Sequence, residues 1–400
     1  MKTPCCSSSE IVSDARIRGH ARRILLNNLT LAAAFGLTCW VAIHLSNAQL
    51  TILHSFADGT VPNDGAVPVG GLIQAPNGSF YGTTTKQASV TKSRTGTVFQ
   101  MSSGGQLTII HHFDPESDSA PKDSLLFYKG GLFYVCPKGI FRTSLEGDTV
   151  SPGFPFGRIY HLVGALIVGS DGDLHGALTE GAGGIYGREP QAPHDFTFLY
   201  LFSGSTGGNS PTAGLLLGQD GNYYGTTAFS SNSGLGGTIF QASPAGSVAF
   251  IYQFPSLTSP NAALIQDADG SFYGTAFDGG QYGSGIVFKM TTSFVVTTLH
   301  SFGNGPDGSA PSGLVLGPNG NLYGTTLTGG TANRGTVYEL RTDGSSYSVL
   351  HNFADGSVSN DGITPNGPLV VGSDNNLYGT TQEGGPPVWG RCIESVLRAW

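Results

Sequence analysis

Residues 313–340 read GLVLGPNGNLYGTTLTGGTANRGTVYEL, and the same words return along the chain at a spacing of roughly fifty residues. The nucleus of each copy is a turn, an aromatic residue and a glycine. It stands at Phe80-Tyr81-Gly82, Tyr223-Tyr224-Gly225, Phe272-Tyr273-Gly274, Leu322-Tyr323-Gly324 and Leu377-Tyr378-Gly379. Two weaker copies, Phe133-Tyr134 and Leu174-His175-Gly176, fill the gap and bring the count to seven units. Self-similarity at this period means one supersecondary unit used repeatedly, so the units form one closed body rather than several domains.

The order of elements inside a unit is legible from turn chemistry. Unit one runs Leu72-Ile73-Gln74, then Pro76-Asn77-Gly78, then Ser79-Phe80-Tyr81-Gly82-Thr83-Thr84. Asn-Gly between two apolar runs predicts a tight hairpin, because a type I′ turn needs positive φ at both central residues. Asp171-Gly172, Asp220-Gly221, Asp269-Gly270 and Asn319-Gly320 hold the same place. A Gly- and Ser-rich loop then leads to a third strand, as in Thr97-Val98-Phe99, Thr238-Ile239-Phe240, Ile286-Val287-Phe288 and Thr336-Val337-Tyr338. A fourth strand closes the unit, as in Leu107 to Phe113 and Val295 to Phe302.

Four antiparallel strands per unit, seven units and no helical periodicity after residue 48 predict an all-β fold, a seven-bladed β-propeller. The units are expected near 71–113, 124–156, 165–202, 214–254, 263–302, 313–353 and 368–400. Residues 50–56 read as a fourth strand with no first three, and 369–381 as two strands without a clear third and fourth. Lending the N-terminal strand to the last blade closes the ring and hides sheet edges that would otherwise invite pairing. Pro386-Pro387-Val388-Trp389 stands where other units lead to Gly-Thr-Val-Phe, so the pattern does not define a third strand there. Unit three carries an insertion, Gly187 to Asp195.

Composition agrees with short strands and tight turns: 61 of 400 residues are glycine and only 12 % are charged. Hydrophobic residues make up 39 % and are spread evenly, which excludes disorder. The net charge is −8; the first 48 residues hold five Lys and Arg against two acids, which leaves about −11 on the rest. A mildly acidic body without basic clusters excludes nucleic acid as a partner.

Arg16, Arg18, Arg22 and Arg23 precede an apolar run over 29–45 and then Ser46-Asn47-Ala48, the pattern of an export signal over 1–48, cleaved after Ala48. The alternative is an uncleaved signal anchor, marginal in length for a bilayer, through which alone the chain would contact a membrane. Either way the propeller, 49–400, is expected outside the cytoplasm: extracellular, periplasmic or at the cell surface. Cys5, Cys6 and Cys39 leave with the signal, and Cys136 and Cys392 fall in non-neighbouring units, so no disulfide is expected.

Gly-Leu-Val-Leu at 313–316, Asn321-Leu322-Tyr323-Gly324-Thr325-Thr326, Gly329-Gly330 and Gly335-Thr336-Val337-Tyr338 together resemble the bacterial GloVer tandem repeat of the choice-of-anchor GloVer-containing proteins. The resemblance covers about 50–385 and is fullest in units one, four, five and six. It implies an exported bacterial repeat protein with no agreed activity and no catalytic residues to carry over. Kelch and NHL-type repeats share parts of the pattern, but the kelch tryptophan is missing and Gly-Thr-Thr replaces the NHL valine.

In a propeller, the loops from strand four to strand one and from strand two to strand three gather at one end. Here they hold Asp58, Asn63 and Asp64; Asn304 and Asp307; and Asp355, Asn360 and Asp361. These oxygens suit a hard cation, with calcium as the cofactor, or a sugar stacked on Tyr282 or Phe277. The competing reading is that Asp-Gly and Asn-Asp-Gly simply make turns. Asp267-Ala268-Asp269-Gly270 opens like a calcium loop but lacks the closing Glu. His54, His112, His300 and His351 recur just ahead of a Phe, a repetition that points to packing, and the Thr-Thr pairs read as strand formers. The functional expectation is an exported binding module for a glycan, surface polymer or protein. The alternatives are a polysaccharide hydrolase or lyase, with Arg188, Glu189, His194 and Asp195 of the insertion as its candidates, and a structural surface protein.

Overall fold

The computed structural model describes residues 49–86, 96–113, 123–136, 139–147, 150–155, 162–179, 183–188, 197–202, 208–230, 235–303, 305–384 and 391–396. The expected signal at 1–48, Asn304 and insertion residues 189–195 lie outside them. All regular structure among the described residues is β, in seven antiparallel sheets that form a seven-bladed propeller. From the innermost strand outward, blade one is Ala66–Gln74, Phe80–Lys86, Thr97–Met101 and Leu107–His112. Blade two is Leu126–Tyr128, Gly131–Cys136, Gly139–Ser144 and Val150–Pro155, and blade three Leu162–Val168, Leu174–Leu178, Gly184–Arg188 and Thr197–Leu201. Blade four has a split inner strand, Gly208–Pro211 and Leu216–Leu217, then Tyr223–Ser230, Thr238–Ala242 and Val248–Gln253. Blade five is Ile265–Gln266, Phe272–Ala276, Ile286–Met290 and Val296–Ser301, and blade six Ser309–Leu316, Asn321–Thr328, Thr336–Arg341 and Tyr347–Asn352.

Blade seven closes the ring as expected. Its inner strand is Ile363–Pro365 and Val370–Val371, followed by Leu377–Glu383, Arg391–Val396 and, outermost, the N-terminal Gln49–Ser55. The third strand that the pattern left undefined is therefore Arg391–Val396. It lacks the Gly-Thr-Val-Phe word, but Ile393 sits opposite Gly379, the place that Phe99 holds opposite Gly82.

The repeated words follow from three local requirements. The first is a cross-strand pair of glycine and aromatic. Gly82, Gly225, Gly274 and Gly324 lie directly opposite Phe99, Phe240, Phe288 and Tyr338. Each ring lies across its glycine so closely that a methyl group on Gly82, Gly274 or Gly324 would come within 2.5 Å of it. The second is the hairpin. Asn77, Asp220, Asn319 and Asp374 accept the backbone N–H two residues on and hydrogen-bond the hydroxyls of Tyr81, Tyr224, Tyr323 and Tyr378. In blade three His175 replaces the tyrosine and keeps the bond, its Nε2 lying 3.0 Å from Asp171 Oδ1.

The third is a buried threonine clasp. The hydroxyls of Thr84 and Thr97, Thr227 and Thr238, and Thr326 and Thr336 pair at 2.9, 2.8 and 2.9 Å across strands two and three. Each also satisfies a backbone N–H, as in Thr336 N to Thr326 Oγ1 at 3.1 Å. The threonines thus do more than form strands: they answer polar groups that burial would otherwise leave unpaired.

Between blades, apolar clusters fill all seven interfaces around the ring. Tyr81, Val98 and Tyr134 join blades one and two, and Phe80, Phe99 and Tyr378 join blades seven and one. Ile185 with Tyr223, Tyr224 with Phe288, and Val287 with Tyr338 do the same at blades three–four, four–five and five–six. Gly183, Gly237, Gly285 and Gly335 each seat against the ring of a proline in the next blade, Pro211, Pro260, Pro311 or Pro365. Gly324→Ala is therefore expected to force the buried Tyr338 ring aside and cost about 1–3 kcal/mol in urea unfolding. Gly104→Ala, with nothing nearer than Ser102 Oγ at 3.8 Å, should stay within about 0.5 kcal/mol. Equal effects would contradict the packing account.

Candidate functional site

Because the strands alternate in direction, the four-to-one and two-to-three loops emerge together at one end. Around blades four to six they are tied to one another. Gly237 N donates to Thr258 O at 2.8 Å, Phe277 N to Ser259 O at 3.0 Å, and Gly330 N to Gly305 O at 3.1 Å. Asp278 Oδ1 accepts from Ser259 N at 2.7 Å.

Asp64 and Asp361 do not face solvent: they are 0 % and 1 % exposed. Asp64 Oδ2 lies 2.9 Å from His54 Nε2, and both its oxygens accept from Ala57 N. Asp361 repeats this with His351 at 2.6 Å and Ala354 N. Each histidine in turn sets its ring edge-on to the phenylalanine two residues later. These carboxylates pin their own loops and have no oxygen turned to a ligand. In blade one it is His111, not His112, that packs on Phe113 in this way.

The remaining expected residues of these two loops are exposed and local in their bonding. Asp58 accepts from Thr60 N and Oγ1 at 2.9 and 2.6 Å, and Asp355 from Ser357 N at 2.8 Å. Hydrogen bonds from Ser357 hold the Asp355 carboxyl below its usual range. Asn63 and Asn360 adopt left-handed turns, both with φ of 56°, a conformation asparagine tolerates better than most residues. Among the described residues no three His, Cys, Asp or Glu side chains gather into a metal-binding group. Asp269 is a hairpin residue, bonded to Ser271 N at 2.8 Å and 3.8 Å from Lys289.

Asp307 behaves differently. Its histidine precedes it by seven residues, where the other two pairs are ten apart. The shorter loop holds His300 Nε2 3.4 Å from Asp307 Oδ2 and leaves the carboxylate 28 % exposed. Oδ2 accepts from Gly303 N at 3.0 Å. His300 stacks flat on Tyr347 at 3.9 Å, and the Tyr347 hydroxyl donates to Asp307 O. Burial holds the His300 ring below the usual imidazole range against the opposing pull of Asp307. Tyr282 lies on the same small area of surface as this carboxylate: a methyl group on Gly303 would sit 3.7 Å from the Tyr282 ring and from both Asp307 oxygens. Tyr282 is 59 % exposed, Phe277 on the same loop 44 %, and Leu257 on the loop bonded to it 81 %. In a chain that buries most of its aromatic rings, exposed apolar side chains gathered on neighbouring loops mark an interaction surface.

A concavity of about 570 Å³ opens at the opposite end between the hairpin of blade one and the short inner strand of blade two, lined by Ile73, Leu125 and Phe127 among others. Its polar groups are already engaged, since Gln74 Oε1 accepts from Ser373 N at 2.8 Å and Gln74 Nε2 donates to Gly78 O. The Tyr282–Asp307 surface, where a partly exposed carboxylate and an exposed ring share one area, is therefore the stronger site. Of the insertion's candidates, Glu189, His194 and Asp195 lie outside the described residues, and Arg188 ends the third strand of blade three.

Residues 259–392, which span blades five to seven, match the family model described as the Gloeobacter/Verrucomicrobia repeat. No curated protein matches the chain. Among solved structures it is similar to an oligogalacturonate lyase in complex with manganese, at 12 % identity and a TM-score of 0.59 over 89 % of this chain and 95 % of that one. It is also similar to the extracellular domain of what is described as a hybrid two component system from B. thetaiotaomicron, at 13 % identity and a TM-score of 0.58 over 87 % of this chain. A second such domain from that organism gives 10 % and 0.56. The chain spans 39 % and 41 % of the length of those two chains. At these identities the likeness is one of fold.

Two outcomes check the site geometry. Asp361→Ala should strand a buried histidine and cost about 3–5 kcal/mol, whereas Asp307→Ala should cost about 1 kcal/mol or less; equal losses would contradict the distinction. In an NMR titration the His300 ring should protonate below the ordinary value of about 6.5. Because the unfolded chain takes up that proton first, His300 removes stability as the pH falls through about 6.5 towards its folded value. An ordinary or raised value would show that burial does not dominate.

Proposed function

We propose that this chain, which carries the Gloeobacter/Verrucomicrobia repeat in residues 259–392, is an exported propeller that binds a glycan through the loop end of blades five and six. The observation that carries the reading is the exposed Tyr282 ring and the partly exposed Asp307 carboxylate, both seated around Gly303. A ring face offers an apolar platform for the C–H face of a sugar, and an adjacent carboxylate accepts strong hydrogen bonds from its hydroxyls. Export rests on the N-terminal pattern of four arginines, an apolar run and Ser46-Asn47-Ala48.

The rest of the fold suits such a role. The blades are rigid and mutually packed, so short loops can present side chains without ordering costs at the moment of binding. Asp58, Asn63, Asp355 and Asn360 extend the same end towards blades one and seven as a polar rim. A glycan array probed with the chain should show selective binding, reduced about tenfold or more by the double substitution Phe277→Ala and Tyr282→Ala. Removing Val295, an exposed apolar residue ahead of an outer strand, should change nothing. Repeating the array with chelator tests whether calcium joins the site. Binding that survives the double substitution would place the ligand elsewhere.

A further inference from the structure

The loops around Tyr282 and Asp307 are unusual in what they lack. Residues 254–264 read FPSLTSPNAAL and contain no charged side chain. Residues 277–285 read FDGGQYGSG, and their single acid, Asp278, is turned inward onto Ser259 N at 2.7 Å. That leaves Asp307 as the carboxylate open to a ligand in the described part of blade five's loops. Arg334, exposed in the corresponding loop of blade six, is the one Lys or Arg among the described loop residues of blades five and six at this end. Burial disfavours the charged form of His300, holding its ring below the usual imidazole range. The surface also extends beyond one ring: Leu257, Phe277 and Tyr282 are all exposed, on two loops joined through Phe277 N and Ser259 O.

We infer that the ligand is a neutral polysaccharide, lying along the Leu257–Phe277–Tyr282 track with a hydroxyl pair donating to Asp307. This rests on the binding reading above and narrows it. A polymer follows from the number of exposed apolar side chains on these joined loops, since a single sugar covers one ring. Neutrality follows from charge. A polyuronate presents a carboxylate on every residue, and a loop end where Asp307 and Asp355 are open and Arg334 is the one flanking arginine among the described residues cannot match that density. The acidic body of the chain, at −8 overall, adds to the repulsion. The same carboxylate welcomes uncharged hydroxyls, because it is an acceptor only and every sugar hydroxyl can donate. The specificity is thus opposite in sign to that of a surface made for acidic polymers, even though the fold is shared with an oligogalacturonate lyase.

Calorimetry on the full chain with a neutral hexopyranose hexaose and a galacturonate hexamer tests this. The neutral hexaose should bind, more tightly than the disaccharide of the same series, with an affinity unchanged from about 0.05 to 0.5 M salt. The galacturonate hexamer should not bind at either salt. Tyr282→Ala should weaken the neutral hexaose about tenfold. Asp307→Asn, which keeps the bond to Gly303 N but removes the charge, should weaken it about fivefold. Circular dichroism of both variants checks that the fold is intact. Tighter binding of the uronate, or a neutral affinity that Asp307→Asn leaves untouched, would overturn this inference and leave a glycan-binding role standing. No binding of either hexamer, together with a silent array, would overturn both.

Discussion

Five of the seven blades depend on a glycine facing an aromatic ring across two strands. Blade two sets Val135 opposite Ile140 instead, and blade seven sets Gly379 opposite Ile393. The glycine of the Tyr-Gly-Thr-Thr word supplies no side chain, and the ring from strand three fills the space it leaves. That pair fixes register, because a slip of one residue would put a methyl or larger group under the ring and turn every buried side chain outward. It also sets the blade interfaces, since the same rings form the apolar clusters between neighbours. The threonine clasp and the hairpin tyrosine sit on either side of this pair and depend on the same register. The chain writes these three devices as one short word and repeats it.

That economy explains how the architecture could be read from residues alone. Asn-Gly and Asp-Gly turns are local, so their consequence is visible without knowing what the strands meet. The closing blade was legible for the same reason, through an unaccompanied fourth strand at 50–56. Its third strand was not. Arg391–Val396 is defined by what it pairs with, Leu377–Glu383 on one side and Gln49–Ser55 on the other, and no local word announces it. The threonine clasp was hidden in the same way: Thr326 and Thr336 are ten residues apart and meet only once the hairpin forms.

The candidate site was legible in part. Asp307, Tyr282 and Phe277 stand out by residue type and loop position, but their company depends on loop length. Three loops carry a histidine and a later aspartate, and a spacing of ten or seven residues separates a buried pin from an open carboxylate. The repeated ten-residue spacing of His54–Asp64 and His351–Asp361 was the available signal that those acids serve the loop itself. Burial then decides the matter. A carboxylate with both oxygens satisfied internally holds its loop, whereas one left partly exposed beside a ring can receive a ligand. A propeller tolerates this divergence because its loops are the part that the blade cores do not constrain.

The central claim is that the ligand sits at the loop end of blade five, with Tyr282 beneath it and Asp307 at its edge. A crystal structure of the chain grown with a neutral hexaose tests it most directly. The account predicts a sugar ring stacked on Tyr282, with a hydroxyl oxygen at roughly 2.5–3.0 Å from an Asp307 oxygen. A ligand seated instead in the groove between blades one and two, near Gln74 and Phe127, would contradict it.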